Sequence, residues 1–174
     1  MNIFILHFNP VIAARMYCDK HSPKMVVELL QQLGSAVIRH GATPDQLPLT
    51  KAGTPLKGGY HFHPCTRWCG DSRANFEWAA LHAVELCEEY TRRFGKTHFC
   101  EKGIRHLAEM SHMIPVEDGL TPFAQAMPDE YKHDNAVTAY RAYYHSKRFA
   151  NGPPRWDRSP TPSWWVEPEV EVTA

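Results

Sequence analysis

His21, Lys24 and Glu28 stand three and four residues apart in the stretch Asp19–Glu28, the spacing that lines side chains up along one side of a helix. A carboxylate held at the edge of a core beside a histidine and a lysine is suited to general acid or base chemistry. Asp19 joins the group at the mouth of the same helix. On spacing alone, a plain Lys24–Glu28 surface pair is the heavier reading. Two other groups carry possible chemistry. His61, His63, Cys65 and Cys69 are zinc-type ligands, but the three-residue gap between the cysteines and the lack of a distant second pair argue against a metal. The expected metal is none. The zinc-deaminase pattern also fails, for want of its His-x-Glu half.

Basic and aromatic residues interleave towards the C-terminus, with Lys132 and His133 followed by Tyr140, Arg141, Tyr143, Tyr144, Lys147 and Arg148. Cations neutralise phosphates and rings stack on bases, so this is the composition of a nucleic-acid surface and equally of an amphipathic helix with tyrosines in the core. Arg67, Trp68 and Arg73 form a second cationic and aromatic group, which tilts the reading towards DNA or RNA. Lys24, Arg67, Arg73, Lys132, Arg141, Tyr144, Lys147 and Arg148 are the expected nucleic-acid contacts. Cys18 is read as a small buried thiol before a nucleophile, and His82 as a satisfied histidine or a polar wall.

The elements that must position these groups are helical. Asn9-Pro10 opens a short helix. Ser22 is the expected N-cap and Pro23 the first residue of a longer one ending near Gly41, with Val26, Leu29, Leu30, Leu33 and Val37 inward and Lys24, Glu28, Gln31 and Gln32 outward. From Gly41 to Ser72 no helical period is visible, and a long Gly/Pro/His-rich loop is expected with a short extended piece at Tyr60–His63. Asp71 or Ser72 caps the longest helix, with Phe76, Ala80, Ala83, Cys87, Tyr90 and Phe94 inward until Gly95. A helix over about Glu101–Met113 follows. A last one opens at Asp134 or Asn135, with Val137, Tyr140 and Tyr144 on one side. The fold expected is all-α, a compact single-domain bundle of about five helices over residues 1–152, with an irregular Trp/Pro-rich tail, 153–174, packing back on it.

Composition narrows the setting. At 174 residues one core is the expectation, and 19 basic against 19 acidic residues leave no global field pointing to nucleic acid or membrane. Five cysteines at irregular spacing, with neither a leader pattern nor a long apolar run, point to a soluble protein of a reducing cytoplasm, which is the host cytoplasm if the chain is phage-encoded.

Several landmarks fall in a recognisable order: an apolar extended start, Asp19-x-His21 with Glu28 seven residues past the histidine, a Gly-Gly-Tyr-His turn at 58–61, the long helix from Phe76 to Phe94, and a basic Tyr143-Tyr144 segment. Over most of residues 2–150 the chain resembles the small all-helical phage pyrimidine-dimer DNA glycosylases of the endonuclease V type. The resemblance implies that the N-terminal α-amine attacks the sugar C1′ to release a base and form a Schiff base. It also implies that Glu28 stabilises the intermediate and assists strand cleavage, and that His21 lines the site. Bulky Asn2 implies that Met1 is retained, so Met1 would supply the amine. The family's cationic positions flanking its glutamate match Val27 and Gln31, a departure from its pattern. The function expected is thus a DNA glycosylase with AP-lyase activity in DNA repair or modification, catalysed by Glu28, His21 and Met1 with no cofactor, bound to DNA as a monomer. Two alternatives stand beside it. One is a phage-type base-modification transferase drawing on Glu28, His21, His61, His63, Asp71 and Arg73; the other is a DNA-binding module without catalysis.

Overall fold

A computed structural model describes residues 2–116 and 119–167, and among these the chain forms six α-helices, three short 3-10 turns and no strand. The helices are α1 (Pro10–Arg15), α2 (His21–Arg39), α3 (Pro64–Asp71), α4 (Arg73–Phe94), α5 (Glu101–Ala108) and α6 (Ala136–His145). The all-α, single-domain expectation holds. Helix α4 lies at the centre, against α1, α2, α3 and α5. It starts where the Ser72 hydroxyl accepts the Asn75 N–H and stops at Gly95, whose φ of 66° an L side chain resists. Phe76, Ala80, Ala83 and Cys87 point inward, as their spacing requires.

Four local expectations are corrected. Helix α2 begins at His21, because the Cys18 carbonyl accepts the amides of both His21 and Ser22 at 3.0 Å and starts the winding early. Ser22 is therefore inside the helix, its buried hydroxyl without a hydrogen-bond partner among the described residues. Gln32, expected outside, is fully buried. The stretch read as one long loop contains α3, capped by His63, whose Nδ1 accepts the Cys65 N–H at 3.2 Å. Its two turns are too short to display a period. Tyr60–His63 is a turn and not an extended piece.

The N-terminal segment is the least usual feature. Ile3, Phe4, Ile5 and Leu6 are each at most 4% exposed, yet no strand pairs with them. Buried amides and carbonyls need partners, and here side chains supply them. The Tyr17 hydroxyl accepts the Phe4 N–H at 3.0 Å, Arg141 Nε donates to the Leu6 carbonyl at 3.0 Å, and Trp78 Nε1 donates to the Phe8 carbonyl at 2.8 Å. Ile3 hydrogen-bonds the Cys65 thiol through its backbone. The thread is pinned from several sides.

A buried ion network holds the α1–α2 turn. The Arg93 side chain, 1% exposed, donates to Glu89 at 2.6 Å, to the Tyr17 and Arg15 carbonyls at 2.7 and 2.9 Å, and to Asp19 at 3.2 Å. Asp19 also accepts the Arg158 N–H at 3.0 Å, which ties in the tail. Trp156 donates to the Met16 carbonyl at 3.0 Å, and Trp156, Trp164 and Trp165 surround Tyr144. Arg93→Met takes the buried cation from two carboxylates and the donors from two carbonyls, and a loss of about 3–5 kcal/mol in urea unfolding is expected. A loss below about 1 kcal/mol contradicts the role given to Arg93.

Candidate functional site

Glu28 stands where α2 meets the start of the chain. Its side chain is 13% exposed; Oε2 accepts the Asn2 N–H at 3.2 Å, and Oε1 lies 3.6 Å from Lys24 Nζ. Both readings of Glu28 are thus present together, the i, i+4 ion pair and the carboxylate at a core edge. Asn2 is itself clamped: its amide donates to the Ala126 carbonyl at 2.7 Å, and its oxygen lies 3.0 Å from the Tyr140 hydroxyl and 3.2 Å from Cys65 Sγ. Met1 lies outside the described residues.

His21 sits behind Phe4. The two rings stack at 4.9 Å and 21°, and Nδ1 is 2.7 Å from the Tyr144 hydroxyl. That hydroxyl also accepts the Cys18 N–H at 2.9 Å and so ties the His21 ring to the start of α2. Burial, with Lys24 and Lys147 adding, lowers the imidazole to about 3. At 5% exposure and neutral, His21 positions Phe4; it is not a proton carrier at neutral pH.

Around Phe4 the cations gather. Lys147 Nζ is 3.4 Å from the centroid of the Tyr143 ring and 5.5 Å from that of Phe4, and both Lys147 and Lys24 act on His21. Tyr131 leans on Tyr143 at 5.3 Å, and its neighbour Lys132 pairs with Asp129 at 2.6 Å. Arg148, exposed at the end of α6, donates to the His145 and Lys147 carbonyls. Lys24 pairs with Glu28, and Lys24 and Lys147 both act on His21, so Glu28, Lys24, Lys147 and the Tyr143 ring beneath Lys147 gather around the start of α2.

Other expected contacts are corrected. Tyr144 is fully buried and is spent on Cys18 and His21, so it cannot meet a nucleic acid. Arg141 is bound to the Leu6 carbonyl and lies 5.3 Å over Trp164. Arg73 donates to the Ile114 and His112 carbonyls at 3.2 and 3.0 Å and serves the following loop. Asp19 turns away to Arg93, and Asp71, invoked for a transferase, pairs with Arg39 at 2.8 Å. Arg67 is exposed on α3.

His61 is exposed, His63 is a cap, and Cys65 and Cys69 are buried with their thiols pushed up by burial. Among the described residues no group of three or more His, Cys, Asp or Glu side chains could hold a metal. Cys18 is a buried thiol, raised by burial. His82 bridges the Pro10 carbonyl at 2.9 Å and the Tyr17 hydroxyl at 3.0 Å, and burial outweighs the Pro10 carbonyl to lower it to about 4.

No family model, curated protein or solved structure matches this chain. Its geometry is the guide. Sequence reasoning missed Asn2 and Phe4, which sit in an apolar run with no period to mark them. A cleft of about 480 Å³ between Lys20, Phe94, Phe149 and Arg158 does not include Glu28. No helix among the described residues is long and apolar enough to cross a membrane.

The two lowered histidines have a stability consequence. Each takes up a proton on unfolding below its free pKa of about 6.5, so its contribution is complete above that pH. It is lost as pH falls towards about 3 for His21 and about 4 for His82, at about 1.4 kcal/mol per pH unit for each group. Urea unfolding at several values between pH 7 and pH 4 is expected to show this acid slope, made shallower by about one proton in His21→Gln. An identical slope in the variant contradicts the buried neutral state.

Proposed function

We propose that the protein is a DNA glycosylase with AP-lyase activity, using the α-amine of its first residue as nucleophile and Glu28 as the supporting carboxylate. The observation that carries this reading is the 3.2 Å contact between the Asn2 amide and Glu28, because the residue before Asn2 is bonded to that same nitrogen. An α-amine titrates near pH 8 and is partly unprotonated at neutral pH, so it attacks without a separate base. The resemblance to the endonuclease V type, carried by His21, Glu28 and the Gly-Gly-Tyr-His turn, supports the same chemistry.

In this mechanism the amine nitrogen bonds to C1′ of the target deoxynucleotide and the glycosidic C1′–N bond breaks, its electron pair leaving with the base, which takes a proton. The C1′–O4′ bond then breaks, O4′ taking the proton that the attacking amine gives up, and an iminium is left. Glu28 stabilises its positive charge and accepts a C2′ proton, and the C3′–O bond then breaks by β-elimination with the phosphate as leaving group. Hydrolysis of the imine returns the amine. Lys24, Lys147 and Lys132 neutralise phosphates beside the reacting sugar, while Tyr143 offers a ring for an unstacked base. Phe4, backed by His21, fixes the buried start of the chain from Asn2 onward.

Borohydride trapping on a duplex with one abasic site tests this reading. A covalent adduct is expected with the native chain, and Glu28→Gln is expected to lower strand cleavage by about a hundredfold or more. No adduct, or cleavage unchanged in Glu28→Gln, contradicts it. Lys24→Ala and Lys147→Ala are each expected to keep the adduct but to weaken binding and to reduce the slope of log affinity against log salt by about one. A slope equal to that of the native chain removes these lysines from the phosphate contact.

A further inference from the structure

Beside Glu28 a short loop holds two large rings out in water. Tyr60 is 63% exposed and Phe62 87% exposed, the latter the most exposed of the large apolar side chains among the described residues. The loop carrying them is fixed at both ends. At its start, Ser35 Oγ accepts the Gly59 N–H at 2.8 Å and donates to the Gly59 carbonyl at 2.9 Å. A Cβ on Gly58 would collide with Ser35, and one on Gly59 would press on Gln31 at 3.3 Å, so the Gly-Gly pair permits this close seat on α2. Gln31 and Ser35 follow Glu28 by three and seven residues, on its side of the helix. At its end, His63 caps α3, and Cys65 Sγ meets Asn2, whose amide is bound to Glu28. The loop therefore runs alongside the carboxylate from one anchor to the other.

Two further observations indicate what the rings meet. Tyr60 has φ 54°, in the left-handed region that a bulky side chain adopts only when its surroundings hold it there, and such strain gathers at functional sites. The sequence from Gln46 to Gly70 contains Lys51, Lys57, Arg67 and two histidines but no Asp or Glu, in a chain whose charges otherwise balance. Exposed aromatics on a rigid loop within a carboxylate-free cationic segment suit a polyanion with stacked rings.

We propose that Tyr60 and Phe62 form a wedge that enters the base stack of duplex DNA next to the nucleotide presented to Glu28. The wedge unstacks the neighbouring step and kinks the duplex, so that the target sugar reaches the chain's first amine. This inference rests on the glycosylase reading above. It adds to that reading the residues that open the duplex, and it makes the enzyme one of double-stranded substrates.

The experiment uses a duplex in which a stable abasic-site analogue is flanked by the fluorescent base 2-aminopurine, whose emission rises when it is unstacked. The native protein is expected to raise the emission on binding. Tyr60→Ala/Phe62→Ala is expected to lose that rise and to bind the duplex about tenfold or more weakly. On a single-stranded abasic oligonucleotide, which needs no unstacking, its borohydride adduct is expected to stay within about twofold of the native level. Both rings lie largely in water, so the urea midpoint of the variant should match that of the native chain. Phe62→Trp, keeping a ring, is expected to restore the rise in a Tyr60-containing background. A double variant with undiminished emission and duplex affinity overturns the wedge while leaving the glycosylase reading intact. A native protein that neither binds nor traps any DNA overturns both.

Discussion

The extended segment Ile3–Leu6 is buried with no strand beside it among the described residues, and apart from the Leu6 N–H, which reaches the Phe4 carbonyl at 2.9 Å, its bonded polar groups are met by side chains. Along the longer stretch Asn2–Phe8 the partners come from Glu28 on α2 at Asn2, Cys65 on α3 at Ile3, Tyr17 after α1 at Phe4, Arg141 on α6 at Leu6 and Trp78 on α4 at Phe8. One thread thus ties five parts of the fold. A buried group left without its partner costs roughly 1–3 kcal/mol, so five such contacts fix the thread against sliding. Their consequence for chemistry is positional, since the chain enters the core beside a carboxylate at a fixed place.

The second constraint works behind the first. Tyr17 serves Phe4 on one side and His82 on the other, and Tyr144 serves Cys18 and His21. Burial keeps both histidines neutral, and these hydroxyls hold the His21 and Tyr17 rings that pack on Phe4. The Arg93 network then fixes the α1–α2 turn from which Tyr17, Cys18 and His21 project. Much of what looked like active-site chemistry in the sequence is this support. Asp19 is a partner of Arg93, and His21 is a partner of Tyr144.

Helices α2 and α4 were legible because their apolar positions keep a helical period over several turns, and α1 and α4 also because Asn9, Ser72 and Gly95 mark their ends. Helix α3 was not, since Cys65, Trp68 and Cys69 cover little more than one turn and sit in a segment rich in Gly, Pro and His. Within the site, Glu28 and Lys24 were found by spacing, but Asn2 lies in an apolar run where a buried polar residue leaves no trace. Tyr144 shows a different failure. Composition drew it towards nucleic acid, whereas its helical phase with Val137 and Tyr140 already pointed to the core. Arg73 and Arg141 were misread because a cation that satisfies buried carbonyls has the same letter as one that meets phosphate.

Locating the covalent bond tests the central claim most directly. After borohydride reduction on abasic DNA, nuclease and protease digestion followed by peptide mass spectrometry would identify the modified nitrogen. The sugar remnant is expected on the α-amine of the N-terminal peptide. A remnant on the side chain of Lys24 or Lys147, or an unmodified N-terminal peptide in a trapped complex, would contradict a reaction centred on the start of the chain.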